Sequence, residues 1–252
     1  MELIIFIIAA FLSYWYETEL FLFFASVFVA VRFFSRWYDP IRLAWPPGRS
    51  GGAKWALGLL PAASFAIILV TLLTLASFDV TGLWVWFYII LGYAWMRCGV
   101  YLLERFFDLR PAIDAVHLDN RAAIFPVAGG FLGITLIYAG ANIGDGPGWW
   151  AVLIAGGIGL VLWLLLAMSA NRICEVSERV TVGRDNGCGI RFGAYLLAIG
   201  LVLGRASGSD WISFGATLRD FKTGWPALPL TLLFIAVERI YIWRKRKAPG
   251  GL

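Results

Sequence analysis

Residues 149–170 read WWAVLIAGGIGLVLWLLLAMSA, an unbroken run with no charged side chain. Coiled as an α-helix it is about 33 Å long, enough to cross the roughly 30 Å of hydrocarbon in a bilayer. A barrel strand would alternate polar and apolar residues, and this run does not. Inside lipid the backbone must satisfy its own hydrogen bonds, so an uninterrupted apolar run of this length reads as a transmembrane helix.

Runs of the same kind occupy 55–77, 83–103, 122–143, 189–206 and 226–243. Composition agrees: 60% of the 252 residues are hydrophobic and 15% charged, with a mean hydropathy of +0.78. Soluble domains carry about 45–50% apolar and about 25% charged residues, so a water-covered globule is excluded. The first fifty residues read as a hairpin turning at Glu17, Thr18 and Glu19. Its first arm, 3–16, is short enough to span, re-enter or lie in the interface, and its second, 20–34, is interrupted by Arg32. With no basic n-region and no Ala-x-Ala site, the first arm is expected to be retained rather than cleaved. The expected fold is an all-α transmembrane bundle of seven or eight spans. Its segments are N-terminal helices (1–78), two successive two-helix units (83–143 and 149–206), and an interfacial segment with a last span and basic tail (207–252).

The net charge of +5 is distributed as topology requires, not as a nucleic-acid stripe. Sixteen lysines and arginines fall in alternate connections: Arg32 to Lys54, Arg105 to Arg121, Arg172 to Arg191, and the tail Arg244-Lys245-Arg246-Lys247. Only Arg205, Arg219 and Lys222 lie near the opposite connections, which carry Glu17, Asp79 and Asp145. The positive-inside rule then puts the C-terminus in the cytoplasm of a bacterial inner membrane. Trp84, Trp86, Trp149, Trp150 and Trp225 at one level and Trp37, Trp45, Trp55 and Trp243 at the other read as aromatic belts. In the segment SDWISFGATLRDFK, Trp211, Phe214, Leu218 and Phe221 are spaced as one face of an interfacial helix.

Asp119-Asn120 precedes one span and Asp185-Asn186 another, and a shift of 66 residues superposes the following helices without a gap. Each unit is an outward-to-inward helix, a charged loop and a small-residue helix returning outward, so the two units form a parallel repeat. The returning helices carry Gly129-x-x-x-Gly133, Gly189-x-x-x-Gly193 and Gly200-x-x-x-Gly204, which place glycine on one face for close helix packing. The partner helix of that face is left open: another segment of the chain or a second copy.

DNRAAIFPVAGGFLGITLIYAGA (119–141) and RDNGCGIRFGAYLLAIGLVLGRA (184–206) resemble the DUF350 family of bacterial inner-membrane proteins, over roughly 83–206. The resemblance implies tandem pairs of two-helix units and a setting near envelope-stress or membrane-scaffold proteins. The second copy departs from the first in having Gly187 opposite Arg121 and Arg191 opposite Phe125.

Charged residues within spans cost at least about 2.5–3.5 kcal/mol near the bilayer centre and each needs a reason. Arg97 is the deepest, with snorkelling, internal pairing or an anion or proton path as its readings. Glu238 and Arg239 lie about 100° apart on the last helix, so they contact different partners, as a structural ion pair or a relay through Glu238. Arg191 and Arg205 sit near interfaces and are expected to snorkel. Asp119 and Asp185 stand where a carboxylate caps a helix. The lone His117, and Cys98, Cys174 and Cys188 without a CxxC pair, assemble neither a metal site nor a catalytic set. No cofactor is expected and no enzyme activity. The expected partners are the lipid bilayer and either a second copy or another membrane protein, with no nucleic acid. A non-enzymatic module for envelope maintenance is the leading expectation, and a channel or transporter along the repeat interface the alternative.

Overall fold

A computed structural model describes residues 17–43 and 51–247. The expected first arm of the N-terminal hairpin, 3–16, and residues 44–50, with Trp45 and Arg49, lie outside the described residues. The helices are α1 (Glu17–Leu43), α2 (Gly51–Thr74), α3 (Leu83–Phe107), α4 (Arg121–Ala141), α5 (Trp149–Cys174), α6 (Val176–Thr181), α7 (Asn186–Ser207), α8 (Phe214–Asp220) and α9 (Ala227–Lys247). A π turn over Pro111–His117 precedes α4, and a 3-10 turn over Phe221–Gly224 joins α8 to α9. Among the described residues seven helices are long and apolar enough to cross a membrane, and there is no strand.

Helix α1 extends beyond the expected 20–34, running through Arg32, Arg36 and Pro40 to Leu43. Charges end an apolar run, but they need not end a helix. Arg32 lays its guanidinium 5.5 Å from the ring centroid of Phe28 on its own helix, so the charge travels along the surface while the backbone continues. The expected interfacial helix is the short α8, started by Ser213, whose hydroxyl accepts from the Ala216 amide. Phe214 and Leu218 are exposed on it, and Phe221 turns into the bundle.

Proline dictates two of the contacts between helices. Pro61 inside α2 has no N–H, so the carbonyl of Leu57, four residues earlier, loses its intrahelical donor. The Trp37 indole of α1 donates to that carbonyl at 3.0 Å, and the Tyr38 hydroxyl donates to the adjacent Gly58 carbonyl at 2.9 Å. Freed backbone acceptors in lipid need such donors, and they tie α1 to α2. Pro126 of α4 likewise frees the Ala122 carbonyl, and that oxygen lies where a Cβ on Gly189 of α7 would sit.

The bundle is built around α4 and α7. Gly189 meets Ala122 at one end and Gly208 meets Gly140 at the other, so the two helices run parallel and in contact along their length. Positions 129, 140, 189, 193 and 200 would each drive a Cβ into backbone of the facing helix, and a Cβ at Gly204 would come 2.5 Å from the Leu136 carbonyl oxygen. At Gly133 the distance to the Leu196 carbonyl oxygen would be 2.7 Å. Glycine alone permits this approach, which brings carbonyls and Cα–H groups together and gains dispersion contact in a medium with no hydrophobic force between helices. Trp163 of α5, fully buried, donates its indole N–H to the Leu196 carbonyl at 2.9 Å and wedges beside the seam.

Candidate functional site

At the end of the seam that carries the arginine-rich connections, Glu238 of α9 is completely buried. One of its oxygens accepts from Arg179 of α6 at 2.5 Å and from Arg191 of α7 at 3.2 Å, and the other accepts from the Arg191 Nε. Arg179 also donates to Asp185 at 2.9 Å, and the Tyr241 ring lies under both guanidiniums, 4.6 Å from Arg191 and 5.8 Å from Arg179. Two cations and two anions are joined in one chain, so the cluster carries no net charge. A buried pair becomes tolerable when geometry and further hydrogen bonds offset desolvation, and here three helices supply them.

Local structure positions each member. Cys174 ends α5, and Glu175, in the left-handed region at φ 51°, turns the chain into α6. Arg179 thereby faces α9. Arg184, at φ 49°, reverses the chain again, and Asp185 caps α7 by accepting from the Cys188 amide at 3.0 Å. Burial works against the Asp185 charge, but the Cys188 amide and the Arg179 guanidinium outweigh it and hold the carboxyl below the usual range. Burial likewise opposes the charge on Arg179, and the hydrogen bonds to Glu238 and Asp185 push its guanidinium up instead.

The corresponding turn before α4 is built differently. Asp119 is at φ 48° and does not cap: Asn120 does, accepting from the Ala122 amide at 3.1 Å. The side-chain amide of Asn120 donates to the Val180 carbonyl at 2.8 Å, linking the two turns. In the second turn Asp185 is the cap and Asn186 the first helical residue. The caps are therefore 65 residues apart rather than 66, and the paired Asp-Asn motifs do not superpose residue on residue.

The other intramembrane residues stand apart. Arg97 is partly exposed on α3 and has no ion-pair partner among the described residues. Arg239 is exposed and reaches the Ile173 carbonyl at 3.5 Å, separately from Glu238. Arg191, expected to reach toward headgroups, turns inward to Glu238; Arg205 is exposed. The six glycines at 129, 133, 189, 193, 200 and 204 all lie in the seam between α4 and α7. Reasoning from sequence missed Arg179 and Tyr241. The spacing of three between Glu238 and Tyr241 puts them on one face of α9, but nothing in the sequence tells a loop arginine that turns inward from those that stay in water.

At the opposite end the loops are tied together. The Gly144 amide donates to the Leu75 carbonyl at 3.3 Å, the Trp211 amide to the Asp145 carbonyl at 2.7 Å, and the Asp145 amide to the Asp210 carboxylate at 2.8 Å. Gly144, at φ 96°, has no room for a Cβ beside Asp210. These loops line an open cavity of about 280 Å³. No group of histidine, cysteine and carboxylate side chains among the described residues is placed to hold a metal ion.

Residues 55–207, more than half of the chain, match the model of the family described as Domain of Unknown Function (DUF350). Neither the curated proteins nor the solved structures give a match.

Proposed function

We propose, from the premise that this chain belongs to the DUF350 family, that it is a non-enzymatic multi-pass module of a bacterial inner membrane. Its basic end faces the cytoplasm, and it serves envelope maintenance by docking a second copy or another membrane protein. The two units 83–143 and 149–206 act as a parallel repeat whose returning helices are fused into one rigid core. The observation that carries this reading is the α4–α7 seam, where backbone occupies the space that side chains or water would need.

An ion or solute path along the repeat interface would have to run through that seam. The close backbone approach counts against it, and so does Glu238, whose charge is spent on two internal arginines. In contrast, α9 presents Leu228, Leu232, Leu233 and Ile240 outward, a face that lipid or a partner helix can cover.

Cross-linking followed by native mass spectrometry from lipid nanodiscs tests the proposal. A dimer or a stable partner complex is expected, and a strictly monomeric, partner-free protein overturns it. Proteoliposome flux that depends on Arg97 and Glu238, falling in Arg97→Ala and Glu238→Gln, would establish the transport reading instead.

A further inference from the structure

Arg97 lies deep in α3, and its neighbours fix how deep. The Thr135 hydroxyl oxygen is 3.3 Å from the sulfur of Met96 and 2.8 Å from the Ser64 hydroxyl. Thr135 stands fourteen residues after the start of α4, Ser64 thirteen after the start of α2, and Met96 eleven before the end of α3. At about 1.5 Å of rise per residue, the three helices put this level about 16–21 Å from their arginine-rich ends. That is near the middle of a hydrocarbon layer of about 30 Å.

At this depth the Arg97 guanidinium makes no hydrogen bond, ion pair or ring contact among the described residues, and it does not line the cavity between the loops. Five N–H donors and a full charge are left to the surroundings. The inward arginines Arg179 and Arg191, in contrast, are both answered by Glu238. Escape to headgroups at the arginine-rich end runs against the helix. Each Cα–Cβ bond tilts toward the helix N-terminus, and α3 starts at the opposite, acidic end, so the side chain leans away from the nearer interface.

The surface around Arg97 is open. Cys98 and Arg105 are exposed, Tyr101 is 52% exposed, and Ala94 is partly so. Positions 94, 97, 98, 101 and 105 share one face of α3, and the small side chains of Ala94 and Cys98 let a neighbouring backbone come close. The group that complements a guanidinium is a carboxylate, which accepts two parallel hydrogen bonds from it. A second copy has none to offer at this depth. Among the described spans Glu17, Glu19, Asp39 and Glu104 lie within four residues of a helix end, and Glu238, deeper in α9, is completely buried and engaged.

We propose that the Arg97 face of α3 docks a transmembrane helix of a different membrane protein, one that carries an aspartate or glutamate in mid-span and pairs it with Arg97. The inference rests on the docking function proposed above and narrows it: the partner at this face is not a second copy, and it is acidic at mid-membrane.

Energy transfer in phosphatidylcholine liposomes tests it. The full-length protein carries the donor at its C-terminus, and the acceptor sits on a synthetic leucine–alanine transmembrane peptide with one central glutamate. This peptide should bind at least tenfold more tightly than the same peptide with a central glutamine. Arg97→Leu should erase the preference. Cys98→Phe, which keeps the charge but fills the face, should weaken the glutamate peptide at least fivefold, and Arg205→Leu, near the other interface, should change neither. Arg97→Leu loses no contact within the chain, so its unfolding temperature should not fall, and a loss of binding then reports the charge rather than the fold. Equal binding of the two peptides, or a glutamate preference that survives Arg97→Leu, overturns the proposal. So does a homodimer that Arg97→Leu dissociates, in favour of a second copy, and so does Arg97-dependent retention of phosphatidylglycerol without a peptide preference, in favour of a lipid phosphate. A native complex that assembles unchanged in Arg97→Leu would leave the docking function standing and overturn this use of α3.

Discussion

Removing the carboxylate of Glu238 leaves Arg179 and Arg191 facing each other above Tyr241 with one anion fewer. Breaking one partner out of a buried ion network costs about 3–5 kcal/mol. Glu238→Gln should therefore lower the apparent unfolding temperature in detergent sharply, and adding Arg191→Met should recover part of the loss, because Arg179 keeps Asp185. An additive double mutant would show that the arginines are not coupled through Glu238. Asp185 contributes a pH dependence of defined sign. Its carboxyl is held below the ordinary value, so its contribution is complete above the unfolded value of about 3.9 and is lost as pH falls through the lower folded value. The stability gap between the wild type and Asp185→Asn should be constant from neutral pH down to about 5 and narrow progressively below about 4. Thermal scans across that range check it, and a gap that stays constant down to about pH 3 would contradict the assignment.

Among the elements, the α4–α7 pair makes the sharpest demand. Gly200→Ala puts a methyl into the Gly133 backbone, which cannot rotate away as a side chain would, so overpacking should cost about 1–3 kcal/mol. Gly157→Ala on α5 provides the opposite sign. A Cβ there meets nothing within 4 Å, and replacing glycine in a helix interior gains about 0.5–1 kcal/mol. Comparing the two in one unfolding assay separates seam packing from helix propensity. The spacing of four in Gly129-x-x-x-Gly133 and its counterparts made the small-residue face legible before any coordinates. It could not name the partner, because two glycine faces match each other within a chain as well as between chains. Gly140 escaped notice since it lies outside those motifs, although it meets Gly204 directly. The spans were readable because lipid imposes length and apolarity on each segment independently. The turns were not, since Asp119 and Asn120 divide their roles by a single positive φ that neighbouring polar residues do not announce. The Arg179–Glu238 contact joins residues 59 apart in sequence, and local pattern carries no information at that range.

For the whole molecule, the two ends of the bundle differ in charge and in chemistry. One end gathers Arg105, Arg110, Arg121, Arg172, Arg179 and Arg184, and the other the loops of Asp79 and Asp145. The positive-inside rule concerns short loops of this kind, where lysine and arginine resist translocation. Cysteine labelling in whole cells makes the orientation measurable. Cys98 is exposed on α3, while Cys174 and Cys188 are buried, so Cys98→Ala gives a background of low reactivity. In that background Asp145→Cys should react with a membrane-impermeant maleimide in spheroplasts, and Arg184→Cys should react only after the membrane is opened. Both residues are exposed, so a difference between them reports sidedness rather than burial. Reversal of the pattern would place the arginine cluster outside the cell and the acidic cavity inside it.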